Sequence, residues 1–235
     1  MVKITPEAVL SAPQGLNAVN DRELSLRGLK APAVEALAVA RDGFDCVDLS
    51  DNEIAKLGGF PPMARLSTLL VANNSIARIA TNLPEVLPNL HTLVLTNNRL
   101  SSLAELEPLS SLKHLKMLSL LGNAVAGVPQ YRLYCAAAMP SLKWLDFQRI
   151  TPAERERAAA AFPDAAALAK ARARSGSASA AATAGGGANG AAAPPAAAQL
   201  TAVKAAIASA ATLEEVKQLE AALATGSLPE PMQQG

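Results

Sequence analysis

Large apolar residues recur through the first two thirds of this 235-residue chain at fixed offsets from four asparagines, Asn52, Asn74, Asn98 and Asn123. Counting back from each, an apolar side chain stands eight, five and three positions earlier: Phe44-Val47-Leu49, Leu66-Leu69-Val71, Leu90-Leu93-Leu95 and Leu115-Leu118-Leu120. Two positions after each asparagine comes another, Ile54, Ile76, Leu100 or Val125. The asparagines are 22, 24 and 25 residues apart. Within each unit the apolar pair alternates with other residues, which predicts a short half-buried strand. One such strand cannot bury its inward side chains alone. Parallel strands stacked one per repeat, each returning by an outer loop or helix, share one continuous core.

A ladder of this period is that of a leucine-rich repeat. The predicted fold is an α/β solenoid with a short parallel sheet of about six strands on its concave face, capped at both ends. Each asparagine falls where the chain leaves a strand, and its amide carries both donors and an acceptor for backbone groups of neighbouring turns. An apolar residue there leaves those groups unpaired, at roughly 1–3 kcal/mol each, so Asn52, Asn74, Asn98 and Asn123 read as framework. Residues 21–31 form a degenerate first unit, Leu24 and Leu26, with Leu29 in the asparagine slot. Leu142-Leu145-Phe147 forms the last, with Ile150 in that slot. Terminal repeats cover the core and are expected to be atypical. Tyr131 to Pro140 is predicted as a short helix.

The residues between the inward ones point out of the concave sheet. The predicted face comprises Glu23, Ser25 and Arg27; Cys46, Asp48 and Ser50; Thr68, Leu70 and Ala72; Thr92, Val94 and Thr96; Met117, Ser119 and Leu121; Trp144, Asp146 and Gln148. Six strands about 4.8 Å apart span roughly 24 Å, room for one α-helix of about 10–12 Å diameter. Leu70, Ala72, Val94, Met117, Leu121 and Trp144 supply an apolar floor, and Arg27, Asp48 and Asp146 supply charge. Such a strip with a polar border suits a protein-binding groove.

Composition bounds the rest. The hydrophobic fraction of 50% overstates the core, because 27 of the 72 residues from 164 onward are alanine. The predicted organisation is a repeat domain with caps over 1–163, a helical extension over 164–174, a disordered Ala/Gly/Ser/Pro linker over 175–199 and a short helical element over 200–227. No apolar run is long enough for a bilayer, and the N-terminus lacks the apolar stretch of a signal peptide. Two cysteines, Cys46 and Cys135, imply no disulfide framework. The net charge of +1 is spread evenly, so a stand-alone polyanion binder is not expected. His91 and His114 fall at different repeat positions without a Cys or Asp pairing, and Glu154-Arg155-Glu156-Arg157 reads as a solvated helix face. No catalytic residues, metal or cofactor are expected. The residues point to a binding scaffold.

Landmarks outside the ladder are more specific. Met1-Val2-Lys3-Ile4-Thr5, Asp21-Arg22-Glu23-Leu24, Asp48-Leu49-Ser50-Asp51-Asn52, Tyr131-Arg132-Leu133-Tyr134 and Leu145-Asp146-Phe147-Gln148 occur in that order. Together they resemble the A-prime family of the U2 small nuclear ribonucleoprotein over residues 1–163, and again at Val203–Ile207 and Thr212–Val216. The resemblance implies a nuclear splicing adaptor that seats a helix of a B-double-prime-type RNA-recognition-motif protein in its concave face. The U2 small nuclear RNA is then bound mainly through that partner. The C-terminal helices read either as a docking element for other spliceosomal proteins or as a weakly folded tail. It also implies RNA contacts from basic residues near the ends, for which Arg22, Arg27, Lys30 and Arg149 are the candidates here. The family carries lysines directly after the last strand, whereas this chain has Ile150-Thr151-Pro152-Ala153, which weighs against RNA contact from that end. A regulatory repeat protein of another type, such as a phosphatase regulator or an acidic nuclear phosphoprotein, is the alternative. The balanced tail and the short array disfavour it.

Overall fold

The computed structural model describes residues 4–183. The chain opens with α1 (Pro6–Ser11), whose N-cap Thr5 hydroxyl accepts from the Ala8 N–H, and a short strand β1 (Gln14–Leu16). Then come β2 (Arg22–Ser25), β3 (Cys46–Asp48), β4 (Lys56–Leu57), β5 (Thr68–Leu70) and β6 (Arg78–Ile79). The single turn α2 (Leu83–Val86), β7 (Thr92–Val94) and β8 (Met117–Ser119) follow. The C-terminal part comprises α3 (Tyr131–Ala138), β9 (Trp144–Leu145), β10 (Gln148–Arg149), α4 (Pro152–Ala161) and α5 (Ala165–Thr183). Three 3-10 helices, Leu37–Ala40, Leu103–Ser111 and Ala124–Gly127, lie in the return segments.

The main sheet has eight strands in the order β1-β2-β3-β5-β7-β8-β9-β10. The six from β2 to β9 are parallel, one per repeat, with Leu24, Val47, Leu69, Leu93, Leu118 and Leu145 side by side in register. All six are fully buried and form the spine of the core. β4 and β6 pair in a second, two-stranded sheet.

The four asparagines hold this stack. Asn98 Oδ1 accepts from the Ile76 N–H (2.9 Å) in the preceding turn, while its Nδ2 donates to the Val71 (2.9 Å) and Leu95 (3.0 Å) carbonyls. Asn52, Asn74 and Asn123 repeat the pattern, accepting from Ala31, Ile54 and Leu100. A second, exposed ladder lies one residue earlier. Asn97 Nδ2 donates to Asn73 Oδ1 (2.9 Å), Asn73 Nδ2 to Asp51 Oδ1 (2.7 Å), and Arg27 Nε to Asp51 Oδ2 (2.5 Å). Asp51, Asn73 and Asn97 all have positive φ, the left-handed conformation that Asn and Asp tolerate best after glycine. Gly122 takes the next rung at φ +71°, where a Cβ would collide with Asn97 Oδ1.

Four expectations are corrected. The sheet gains two antiparallel edges, β1 on β2 and β10 on β9. The β9–β10 turn, Asp146-Phe147, has φ of 53° and 61°, as a tight two-residue hairpin requires. Phe147 therefore sits in the turn and is 59% exposed instead of inward. The charge run is not wholly solvated. Glu154 pairs with Arg132 (Oε1–Nε 2.6 Å), and Arg155 donates to the Ala136 (3.1 Å) and Leu142 carbonyls, which ties α4 to α3 and satisfies a carbonyl in the last turn of α3. Finally, α5 continues past residue 174 to Thr183, where a linker was expected, because alanine has the highest helix propensity. The rest of the expected linker and the helical element over 200–227 lie outside the described residues.

At the C-terminal end Tyr131, Tyr134, Cys135 and Ala136 of α3 are buried over the last repeat. Arg132 extends the closure by donating to the Leu145 (3.1 Å) and Arg149 (3.2 Å) carbonyls of the hairpin. Its guanidinium, with the Thr151 N–H, holds the Glu154 carboxyl down at about 2.

Candidate partner-binding face

Strand pleating puts one side chain per repeat into each row of the concave face. Glu23, Cys46, Thr68, Thr92, Met117 and Trp144 make one row, and Ser25, Asp48, Leu70, Val94 and Ser119 the next. Residue size then decides what is accessible. Leu70, Ala72, Val94, Thr96 and Met117 are half-buried, while Leu121 and Trp144 are each 41% exposed. The accessible apolar surface thus gathers over β5 to β9, and the charged groups Glu23 and Arg27 lie over β2.

Cys46, Asp48, Ser50 and Ser119 do not offer themselves as expected: all four are buried. Each is short, and Cys46, Asp48 and Ser119 lie on strands flanked by neighbours on both sides. Cys46 lies between Glu23 and Thr68 in register, and burial, with Glu23 beside it, pushes its thiol up to about 12. A thiol held protonated is no nucleophile. Asp48 Oδ1 accepts from the Ser50 N–H (2.8 Å), and Ser119 shares a hydrogen bond with Thr96 (2.9 Å). Asp146 is half-buried in the hairpin turn, and its carboxylate accepts from the Leu120 N–H (2.7 Å) and the Tyr131 hydroxyl (3.0 Å). These residues shape the floor of the concave face.

The four candidate RNA contacts are exposed but not together. Arg22, Arg27 and Lys30 lie at the β2 end. Arg149 lies on β10, opposite Trp144, about 29 Å away across six strand spacings. Arg27 is fixed by its ion pair with Asp51, whose carboxyl is lowered by hydrogen bonds from Asn73 and Arg27.

The alternation rule overlooked the rim formed by the residue before each strand. There each N–H donates to the equivalent carbonyl of the previous unit: Asp45 to Arg22, Ser67 to Asp45, His91 to Ser67, Lys116 to His91 and Lys143 to Lys116. At the β2 end the Asp45 charge is neutralised, since Arg65 forks onto it (2.7 and 3.3 Å) and lowers its carboxyl. Towards β9 the row is basic, with Lys116 and Lys143. His91 and His114 meet edge to face at 6.1 Å. Burial, then the nearby Lys116 and His114, lower the His91 pKa, which keeps that imidazole neutral. The signal was available, as positions one before each strand, but it carries no periodic hydrophobicity.

No group of three or more His, Cys, Asp or Glu side chains is placed to hold a metal among the described residues. No helix among them is long and apolar enough to cross a membrane.

A family model described as leucine-rich repeat matches residues 1–173. The U2 small nuclear ribonucleoprotein A′ of Arabidopsis thaliana is 47% identical over 97% of this chain and 93% of its own length. That of Homo sapiens is 46% identical over 97% and 90%. Among solved structures, the Drosophila melanogaster SNF/U2A′ complex contains a chain 44% identical, with a TM-score of 0.68, covering 71% of this chain and 96% of that one. The chain belongs to the U2 small nuclear ribonucleoprotein A′ family of leucine-rich repeat proteins.

Proposed function

We propose that this chain is a non-catalytic adaptor of the nuclear U2 particle, acting in pre-mRNA splicing. It seats one helix of a B-double-prime-type RNA-recognition-motif protein across its concave face and so stabilises that partner on a stem-loop of U2 RNA. The observation that carries the reading is the accessible apolar strip of Leu70, Val94, Met117, Leu121 and Trp144, crossing the sheet at a width that fits one helix. The solved relative in complex with SNF supports a protein partner for this family. Near-neutral net charge supports a division of labour in which the partner reads the RNA. Arg22, Arg27 and Lys30 at one end add phosphate contacts to the stem, and at the other the rim residues Lys116 and Lys143 with Arg149 stand in for the lysines this chain lacks after its last strand. Membership of the A′ family removes the ground for the phosphatase-regulator and acidic-phosphoprotein alternative. Co-purification from nuclear extract with sequencing of the bound RNA tests the assignment: U2 RNA is expected to be enriched, and its absence overturns the reading.

A further inference from the structure

The helix α5 is fastened to the repeat body through a serine. Ser175 is buried, and its Oγ accepts from the Leu103 N–H (2.9 Å) and donates to the Arg172 carbonyl (2.8 Å). Leu103 opens the 3-10 helix Leu103–Ser111, so Ser175 caps a backbone donor of another element 72 residues away. Arg172 pairs with Glu107 (2.8 Å), a carboxylate 60% exposed, and Leu168 and Ala171 are only partly buried. Beside the serine lies a largely apolar cavity of about 720 Å³, lined by Leu103, Val128, Phe162, Ala171 and Arg174. The sequence around it, Lys170-Ala171-Arg172-Ala173-Arg174-Ser175, places arginines three and one positions before the hydroxyl.

We propose that Ser175 is a phosphoryl-acceptor site for an arginine-directed serine kinase, and that its modification releases α5 from the repeat body. In the docked state the hydroxyl is shielded, so the kinase acts on chains whose α5 has opened locally. A helix whose apolar contacts, Ala167, Leu168 and Ala171, are only partly buried opens locally below the global unfolding free energy. The γ-phosphoryl of a nucleoside triphosphate passes to Oγ: the O–P bond to Ser175 forms, the bridging bond to the β-phosphate breaks, and the nucleoside diphosphate leaves. The hydroxyl proton goes to the base of the kinase. Redocking is then opposed in three ways. The modified Oγ has no proton to donate to the Arg172 carbonyl. A near-dianion must desolvate against apolar walls. The Ser101 and Ser102 N–H groups at that helix end are already taken by Glu105 (2.6 and 3.2 Å), whose charge repels phosphate. Arg174 is the charged lining side chain that favours the anion, with Ser101 and Gln130 as neutral donors, and a guanidinium serves phosphate equally well in water once α5 is free.

The test uses the full chain, a purified arginine-directed serine kinase and Mg·ATP, with the phosphate located by mass spectrometry and amide hydrogen exchange measured before and after. Phosphate at Ser175, with protection of the Leu103 amide falling about tenfold or more and faster exchange through 165–175, is the expected result. Ser175→Ala separates the causes, because Ser177 also has an arginine three positions before it. That variant loses the Leu103 protection alone, and kinase treatment adds nothing further in 165–172. Ser175→Asp reproduces the release without a kinase. Absence of phosphate at Ser175, or phosphate there with unchanged or slower exchange, overturns the proposal.

Discussion

Replacing Asn98 by alanine tests the physical account of the stack, because its bonds can be followed one by one. The substitution removes the acceptor of the buried Ile76 N–H and a donor to the Val71 and Leu95 carbonyls. The two carbonyls are not orphaned: Asn74 still donates to Val71 (3.2 Å) and Asn123 to Leu95 (2.8 Å). Ile76 has no such reserve. One orphaned donor costs about 1–3 kcal/mol and two weakened acceptors add a net bond or so, which gives about 2–4 kcal/mol. Urea denaturation should show that loss in midpoint with an unchanged slope, and hydrogen exchange should show the Ile76 amide losing protection. Asn98→Asp sharpens the test. It keeps the acceptor for Ile76 but sets a carboxylate against two carbonyls, which raises its folded pKa. The charge penalty is therefore absent below the ordinary carboxylate range and grows as pH rises through it. A cost for Asn98→Ala below about 1 kcal/mol with Ile76 still protected would refute the reasoning.

Other outcomes follow from the same geometry. Gly122→Ala should destabilise by about 1–2 kcal/mol, since φ is +71° and the methyl meets Asn97; Gly127→Ala, with open space around it, is the control in the same melting experiment. The Arg132–Glu154 lock depresses the Glu154 pKa from 4.5 to about 2, so its contribution is complete above the unfolded value and is lost as pH falls towards 2. Glu154→Gln should therefore be less stable than the parent at pH 7, and the gap should close in acid melts. Trp144→Ala should weaken partner binding by roughly thirtyfold, as an exposed aromatic anchor at the edge of the strip; calorimetry that finds less than threefold would remove it from the interface.

Much of the architecture was legible because the repeat obliges it. Leu93 and Leu95 alternate in a way only a half-buried strand satisfies, and Asn98 three residues on has no role except bonding to turns. The second ladder was not legible: Asp51, Asn73 and Asn97 look like ordinary loop polarity until their shared left-handed φ brings them into line. Alternation gives the direction of Cys46 and Ser119 but not the size of their neighbours across the sheet, and that size decides their burial. The β9–β10 hairpin was hidden because Asp146-Phe147 is a poor signature for a two-residue turn, which favours Asn-Gly or Asp-Gly. Arg132 was overlooked since its partners are 13 to 22 residues away and follow no period.

The central claim is that the concave apolar strip holds the partner. Titration of the purified B-double-prime-type protein into the parent chain and into the Leu70→Glu, Val94→Glu double variant tests it most directly. Both side chains are half-buried on the open face, so the variant should keep its melting temperature. The account predicts binding weakened by at least about a hundredfold, as two carboxylates would be buried against an apolar helix. Unchanged affinity in a folded variant would contradict it.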